Sequence, residues 1–362
     1  MFWCRAERGG GKTFVKSTRI ERRAEKLRWC TGLRKKAALA RVRKLSPADP
    51  LIPEPHPDQA LLECQVLNGI RWPQISMLHP WGIRYLDPRP DSLVIGFEHQ
   101  NAVPRRPKES VVRELARLLP TADGHGDVSG VPGGRFTLDE GTVVLHRLGH
   151  PGSVTFAGVS AEAWEAAVEK YSEEEAAEGM TLCHLESPLR WHRTERAYWG
   201  RSASSRAGGM LGQSAWLASG LLRRAGLLRT IGIGLNTTAW ASPDPRSGMR
   251  WTVEHGHAPV QDGPLPHERY LRLLTDPECG LGLIEARRSC HCDLHSGGSY
   301  ACRVTLASAT GRPGTLQFRF TRHADEELEL WQMTGQELTA RQRLYRRLPS
   351  YLEPALGSGG AA

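Results

Sequence analysis

Five prolines fall between residues 46 and 57 (Pro47, Pro50, Pro53, Pro55 and Pro57), and no other feature restricts the folding of this chain so sharply. Each proline fixes φ and removes a backbone donor, so neither a helix nor a sheet ladder runs through the stretch, which reads as an extended linker. The chain therefore divides into an N-terminal segment, residues 1–45, and a body that begins at about residue 58.

Charge divides at the same place. Residues 1–45 hold fifteen Lys and Arg against three Glu, a local charge of +12, which leaves 33 basic and 36 acidic residues in the rest. The net +9 thus belongs to a basic arm on a nearly neutral body. Six of the eight lysines also lie in the arm. Thr18-Arg-Ile-Glu21 fits a capping box, which predicts a helix from about 19 to 44 with Gly32 as a weak point. Its apolar stripe (Ile20, Ala24, Leu27, Ala38, Val42) is thin, so the expectation is a helix that packing stabilises little and that firms up on a partner.

Spaced cations on a helix release counterions from a polyanion whatever its sequence. Arg19, Arg22, Arg23, Lys26, Arg28, Arg34, Lys35 and Lys36 are accordingly the candidate nucleic-acid contacts, with DNA or RNA as the partner. Nearer the start, Ala6-Glu-Arg-Gly-Gly-Gly-Lys12-Thr13 resembles a phosphate-binding loop, but no buried strand precedes it and Ala6 replaces the first glycine. It reads as a flexible basic leader.

Composition places the body among folded proteins, at 40% hydrophobic and 24% charged residues. Its most apolar region, Met210 to Leu228, is interrupted by Gln213, Arg223 and Arg224 and is not expected to span a membrane. No apolar signal run opens the sequence, so the eight cysteines are expected as reduced thiols in a cytoplasmic protein.

Periodicity supplies the elements. Strands are expected at Ser92 to Phe97, at Gly141 to Leu148 and Ser153 to Phe156 as a hairpin, at Ile231 to Leu235 and at Met249 to His255. A meander is expected from Tyr300 to Ala307, Thr315 to Thr321 and Leu328 to Met333. Helices are expected at Lys108 to Leu119, from Ser160 to about Glu178, over Met210 to Leu228 with breaks at Gly220 and Gly226, and at Gln336 to Leu348. Thr121 to Gly134 reads as a glycine-rich loop, and no repeat of fixed period is visible. The fold class is α+β: a basic helical arm, a mixed unit over 58–180, a second α+β unit over 181–356 with a β-meander, and a disordered tail at 357–362.

Several clusters carry candidate chemistry. Cys290-x-Cys292-x₂-His295-x₆-Cys302 supplies four soft ligands for zinc, without paired CxxC knuckles. Strand alternation sets Cys302 beside Val304 and Leu306, which makes it a core thiol if they are core. Asp123-Gly-His125-Gly-Asp127 reads as a polar turn, and Gly297-Gly-Ser299 precedes a strand and so lacks the strand-to-helix setting of a catalytic serine. Tryptophans 191, 199, 216, 240 and 251, interleaved with Arg190, Arg193, Arg196, Arg201 and Arg206, form either a stacking groove or, as expected here, an aromatic core with a solvated rim.

Trp251-Thr-Val-Glu254-His255-Gly256-His257 sets two histidines two residues apart, on one face of a strand. The motif resembles the paired histidines of nicking and replication-initiation endonucleases, which hold a divalent metal that polarises the scissile phosphate. Gly256 stands where that family has a bulky apolar residue, and no lysine lies three residues beyond Tyr270. The resemblance implies a metal-dependent enzyme in which His255 and His257 act with an acid, Glu254 or Asp262. A nucleic-acid-associated protein working through its arm is the leading expectation. Alternatives are this metal-dependent nuclease, with zinc or another divalent cation, and a protein-interaction module.

Overall fold

The computed structural model describes residues 18–70, 79–97, 110–204, 206–231, 234–257, 267–290 and 301–322. The arm is helical, as two helices and not one: α1 (Arg19–Thr31) and α2 (Lys35–Val42). The capping box forms, with Thr18 N–H donating to Glu21 (2.7 Å) and Glu21 N–H to the Thr18 hydroxyl (3.2 Å). Gly32 adopts φ 74° and caps α1, donating its N–H to the Arg28 carbonyl. This left-handed cap, which glycine adopts without strain, turns the chain into α2.

The arm is docked, which corrects the expectation of a weakly packed helix. Ala24, Leu27 and Cys30 of α1 are buried. Lys26 Nζ lies 2.8 Å from both Asp276 and Glu278, and the Arg23 guanidinium donates to the Ser46 and Asp49 carbonyls. Arg41 of α2 pairs with Asp87. Gly226 lies past the α-helix that ends at Leu222, as its expected break allows, and a Cβ on it would lie 2.6 Å from the Trp29 and Cys30 carbonyl oxygens. Only glycine admits the end of α1 so close.

The proline-rich stretch is less extended than expected. It makes turns, buries Leu51 and Ile52, and leads into α3 (Pro57–Gly69), a helix the periodicity did not reveal. From there β1 (Ile83–Pro88) and β2 (Ser92–Phe97) pair as a hairpin, followed by α4 (Ser110–Ala116). The expected glycine-rich loop carries two short strands, β3 (Thr121–Ala122) and β4 (Val128–Ser129). A meander follows, β5 (Gly134–Asp139), β6 (Thr142–Arg147) and β7 (Ser153–Ala157), so the predicted β6–β7 hairpin is present. Helix α5 (Ala161–Ala177) starts on the Ser160 hydroxyl and is followed by Gly179 at φ 77°, as read from the sequence.

Next come β8 (Thr181–Leu182), a single turn α6 (Cys183–Glu186), α7 (Arg193–Ser204) and α8 (Arg206–Leu222), which runs through Gly220 unbroken. A 3₁₀ segment, Ala225–Ile231, separates α8 from β9 (Gly234–Asp244) and β10 (Gly248–His257). Helix α9 (His267–Leu274) then precedes β11 (Leu283–Ser289), β12 (Ala301–Ser308) and β13 (Thr315–Arg322). The expected strand at 328–333, helix at 336–348 and tail at 357–362 lie outside the described residues. Among the described residues no helix is long and apolar enough to cross a membrane.

The strand orders expose a duplication. One sheet runs β1-β2-β7-β6-β5 and the other β9 to β13 in the order β11-β12-β13-β10-β9. Each is a helix, a hairpin, a second helix and a three-strand meander whose last strand pairs parallel with the second hairpin strand, β7 on β2 and β13 on β10. The two leading helices, α3 and α8, pack against each other. At their contact Glu63 and Arg223, both fully buried, form a bidentate ion pair with N–O distances of 2.6 and 2.7 Å. Gln59 and Ser219 add hydrogen bonds to the same carboxylate, and Arg223 also donates to the Pro53 carbonyl.

Removing one member of such a pair strands a buried charge. Glu63→Gln is predicted to cost about 3–5 kcal/mol in chemical denaturation, and Glu63→Leu with Arg223→Met less than the two single changes together. The arm clamp responds to pH. Burial works against both charges, but mutual hydrogen bonding lowers the Asp276 pKa and raises that of Lys26. The Asp276 contribution is present above the ordinary carboxyl range and is lost as pH falls through the depressed folded value. The Lys26 contribution is lost as pH rises through its elevated one. Limited proteolysis should therefore cut the α1 arginines faster below pH ~4, and Lys26→Met should reproduce this sensitivity at neutral pH.

Candidate functional site

The fold sorts the arm's cations into two sets. Arg23, Lys26 and Arg28 are engaged internally, the last with Glu25 at 2.6 Å. Arg19, Arg22, Arg34, Lys35 and Lys36 are exposed, as are Arg43 and Lys44. Over residues 18–44 the acids are Glu21, held in the capping box, and Glu25, paired with Arg28. Helical spacing sets Lys36 on one face with Arg43 and Lys44. The exposed side of α1 and α2 is thus a surface with a large excess of positive charge over acids among the described residues.

The paired histidines lie on β10, an interior strand between β9 and β13. His255 is buried, opposite Thr237 and Phe320, whereas Glu254 is half-exposed and lies 3.9 Å from Arg319. Neighbouring residues of a strand face opposite sides, so Glu254 does not converge with His255. A register shift separates Gly256 from His257, whose side chain, like Asp262, lies outside the described residues. Of the zinc candidates, Cys302 is fully buried beside Val304 and Leu306, as alternation required, and its sulfur lies 3.4 Å from that of exposed Cys290. Cys292, His295, Ser299 and the loop at Gly9 to Lys12 lie outside the described residues. Among the described residues no three His, Cys, Asp or Glu converge as metal ligands. Asp123 forms the expected turn, accepting from the His125 and Asp127 amides at 2.9 Å.

Sequence reasoning missed a polar cluster at α6 and α7. Cys183 Sγ lies 3.6 Å from His192 Nδ1, and His192 Nε2 lies 3.1 Å from Glu186. Thr194 N–H donates to Nδ1, which makes that nitrogen the acceptor and turns the ring proton on Nε2 toward the carboxylate. The order thiol, imidazole, carboxylate is that of an activated thiol. Its electrostatics oppose activation. Burial and the Glu195 carboxylate push the Cys183 thiol up to about 12, so at neutral pH it is a packed, protonated group.

Glu195 organises the surroundings. Fully buried, it accepts from the Gly133 and His192 amides and pairs with Arg135, whose remaining donors reach the Ser187 and Arg190 carbonyls. Cys183, Glu186, His192 and Glu195 lie close together in the sequence, yet nothing in their spacing distinguishes them from an ordinary polar turn.

Under native conditions iodoacetamide is predicted to modify exposed Cys290 and to spare Cys183, as read by mass spectrometry of the digested protein. Rapid labelling of Cys183 at pH 7 would show an activated thiol instead. No protein-family model, curated protein or solved structure matches this chain.

Proposed function

We propose that the protein associates with nucleic acid through the exposed faces of α1 and α2, by sequence-independent contacts to phosphates. One observation carries this reading: after the fold has engaged Arg23, Lys26, Arg28 and Arg41, seven cations stay exposed on a segment whose two acids are already engaged. Like charges held together on rigid helices repel, and a polyanion relieves that repulsion while its counterions return to solution. Docking makes the surface more effective, because helices already ordered have little conformational entropy left to lose on binding.

A second reading has a narrower support. The sulfurs of Cys290 and Cys302 are close enough to share a zinc ion in the hairpin between β11 and β12. Elemental analysis of the purified chain tests this, zinc at one per chain that disappears in Cys302→Ser supporting it.

Binding of a duplex and of a single strand is predicted to weaken steeply with salt. Lys35→Glu with Lys36→Glu should lower the slope of log K against log salt by about 1.5, as the loss of two phosphate contacts requires. Lys170→Glu, a charge reversal on exposed α5 outside the arm, should change that slope little. A slope indifferent to Lys35 and Lys36 would refute the reading.

A further inference from the structure

The buried arginines are not treated alike. Arg223 has Glu63, Arg135 has Glu195, and Arg224 donates to the Cys279, Gly220 and Gly280 carbonyls. Arg147, at the end of β6, is 3% exposed, and its Nε and Nη1 are buried without an acceptor among the described residues. Asp58, whose charge acts on it, is engaged by His150 at 3.1 Å. What surrounds the guanidinium is aromatic: its carbon lies 4.0 Å from the ring centre of Trp199 and 5.8 Å from that of Trp191.

This arrangement is built and held. Gly133, at φ 75°, lies so close under the Trp191 indole that a Cβ would come within 2.5 Å of the ring. The Gly133 amide is fixed by Glu195, and Gly134 is the β-partner of Arg147. A buried cation stripped of water, with two donor nitrogens lacking an acceptor among the described residues and Asp58 shared with His150, is unfavourable, and indole faces offset only part of that cost. Burial pushes its pKa down to about 10, still charged at neutral pH. The segment that supplies both indoles, residues 187–204, also carries exposed Arg190, Arg193 and Arg196, and Arg201, which donates to the Gly126 carbonyl, against Glu195, which Arg135 already neutralises.

We propose that Arg147, in its cage of Trp191 and Trp199, receives the phosphate group of a nucleotide, either free or within a single strand. The guanidinium offers the fork that phosphate oxygens accept, the excess positive charge of the segment that carries the indoles favours a dianion over a single carboxylate, and the half-buried indoles offer a surface for a base. The site is independent of the arm, so it stands or falls separately from the reading above.

The test is the thermal response of the full-length chain to inorganic phosphate, a nucleoside monophosphate and a short single-stranded oligonucleotide, each against chloride at equal ionic strength. Wild-type protein should melt about 2 °C or more higher at saturating ligand. Arg147→Met should melt no lower than wild type, because it removes a desolvated charge whose Nε and Nη1 lack an acceptor among the described residues and keeps the apolar stem, and it should lose the response. Arg147→Lys should respond at a concentration at least tenfold higher, since it lacks the fork. Preference for the monophosphate over inorganic phosphate identifies a free nucleotide, and preference for the oligonucleotide a strand. Lys35→Glu with Lys36→Glu should retain the monophosphate response. No shift beyond chloride, or equal shifts in wild type and Arg147→Met, would overturn the proposal and leave a structural cation–π contact.

Discussion

The ion pair between Glu63 and Arg223 is the interaction on which the rest of the molecule depends. It lies where the leading helices of two topologically equivalent halves cross, with no exposed surface on either side chain. Its reach is wide. Through Gln59 it touches the Ser153 carbonyl of β7, and through Arg223 the Pro53 carbonyl, which fixes the proline-rich stretch against the body. Helix α8 extends the connection, since Arg224 holds the 279–280 turn and Trp251 of β10 donates to Ser214. Buried ion pairs contribute little net stability against apolar substitutes, but a fully satisfied one admits few alternative packings. Here that selectivity sets how the two halves meet.

The arm follows from the same geometry. The 276–280 turn that Arg224 holds from one side presents Asp276 and Glu278 to Lys26 on the other. Cys30 meets the Cys279 carbonyl beneath. A segment that composition marks as foreign to the body is therefore part of its core, and the charges facing outward are those the fold has no use for. The proposed binding needs only this preformed cationic face, with no folding step attached to it.

Much of the local structure is legible in the sequence, because its causes are local. The capping box at Thr18, the hydroxyl cap at Ser160 and the alternation that buries Cys302 with Val304 and Leu306 each need only a few adjacent residues. Helix α3 escaped because it is buried almost all round, from Gln59 to Leu67, and so shows no amphipathic stripe. Strand β11 escaped for the opposite reason, being exposed after Leu283. The duplication has no sequence period, since what the two halves share is strand order and not residue pattern. Docking of the arm was out of reach, for Lys26 and Asp276 are 250 positions apart. The Cys183 and Arg147 environments join residues from separate strands and helices, and their chemistry is set by burial and by which neighbours lack an acceptor. Spacing along the chain encodes neither.

The basic segment is an integral, ordered part of the fold before any partner arrives. Hydrogen–deuterium exchange of the backbone amides of α1, in the free protein and with a polyanion added, tests it most directly. The amides from Leu27 to Thr31, at the end of α1 that packs beside Gly226, are expected to be protected in the free protein and to change little when the polyanion is added. Exchange at unfolded rates in the free protein, with protection appearing only when the polyanion is present, would contradict it.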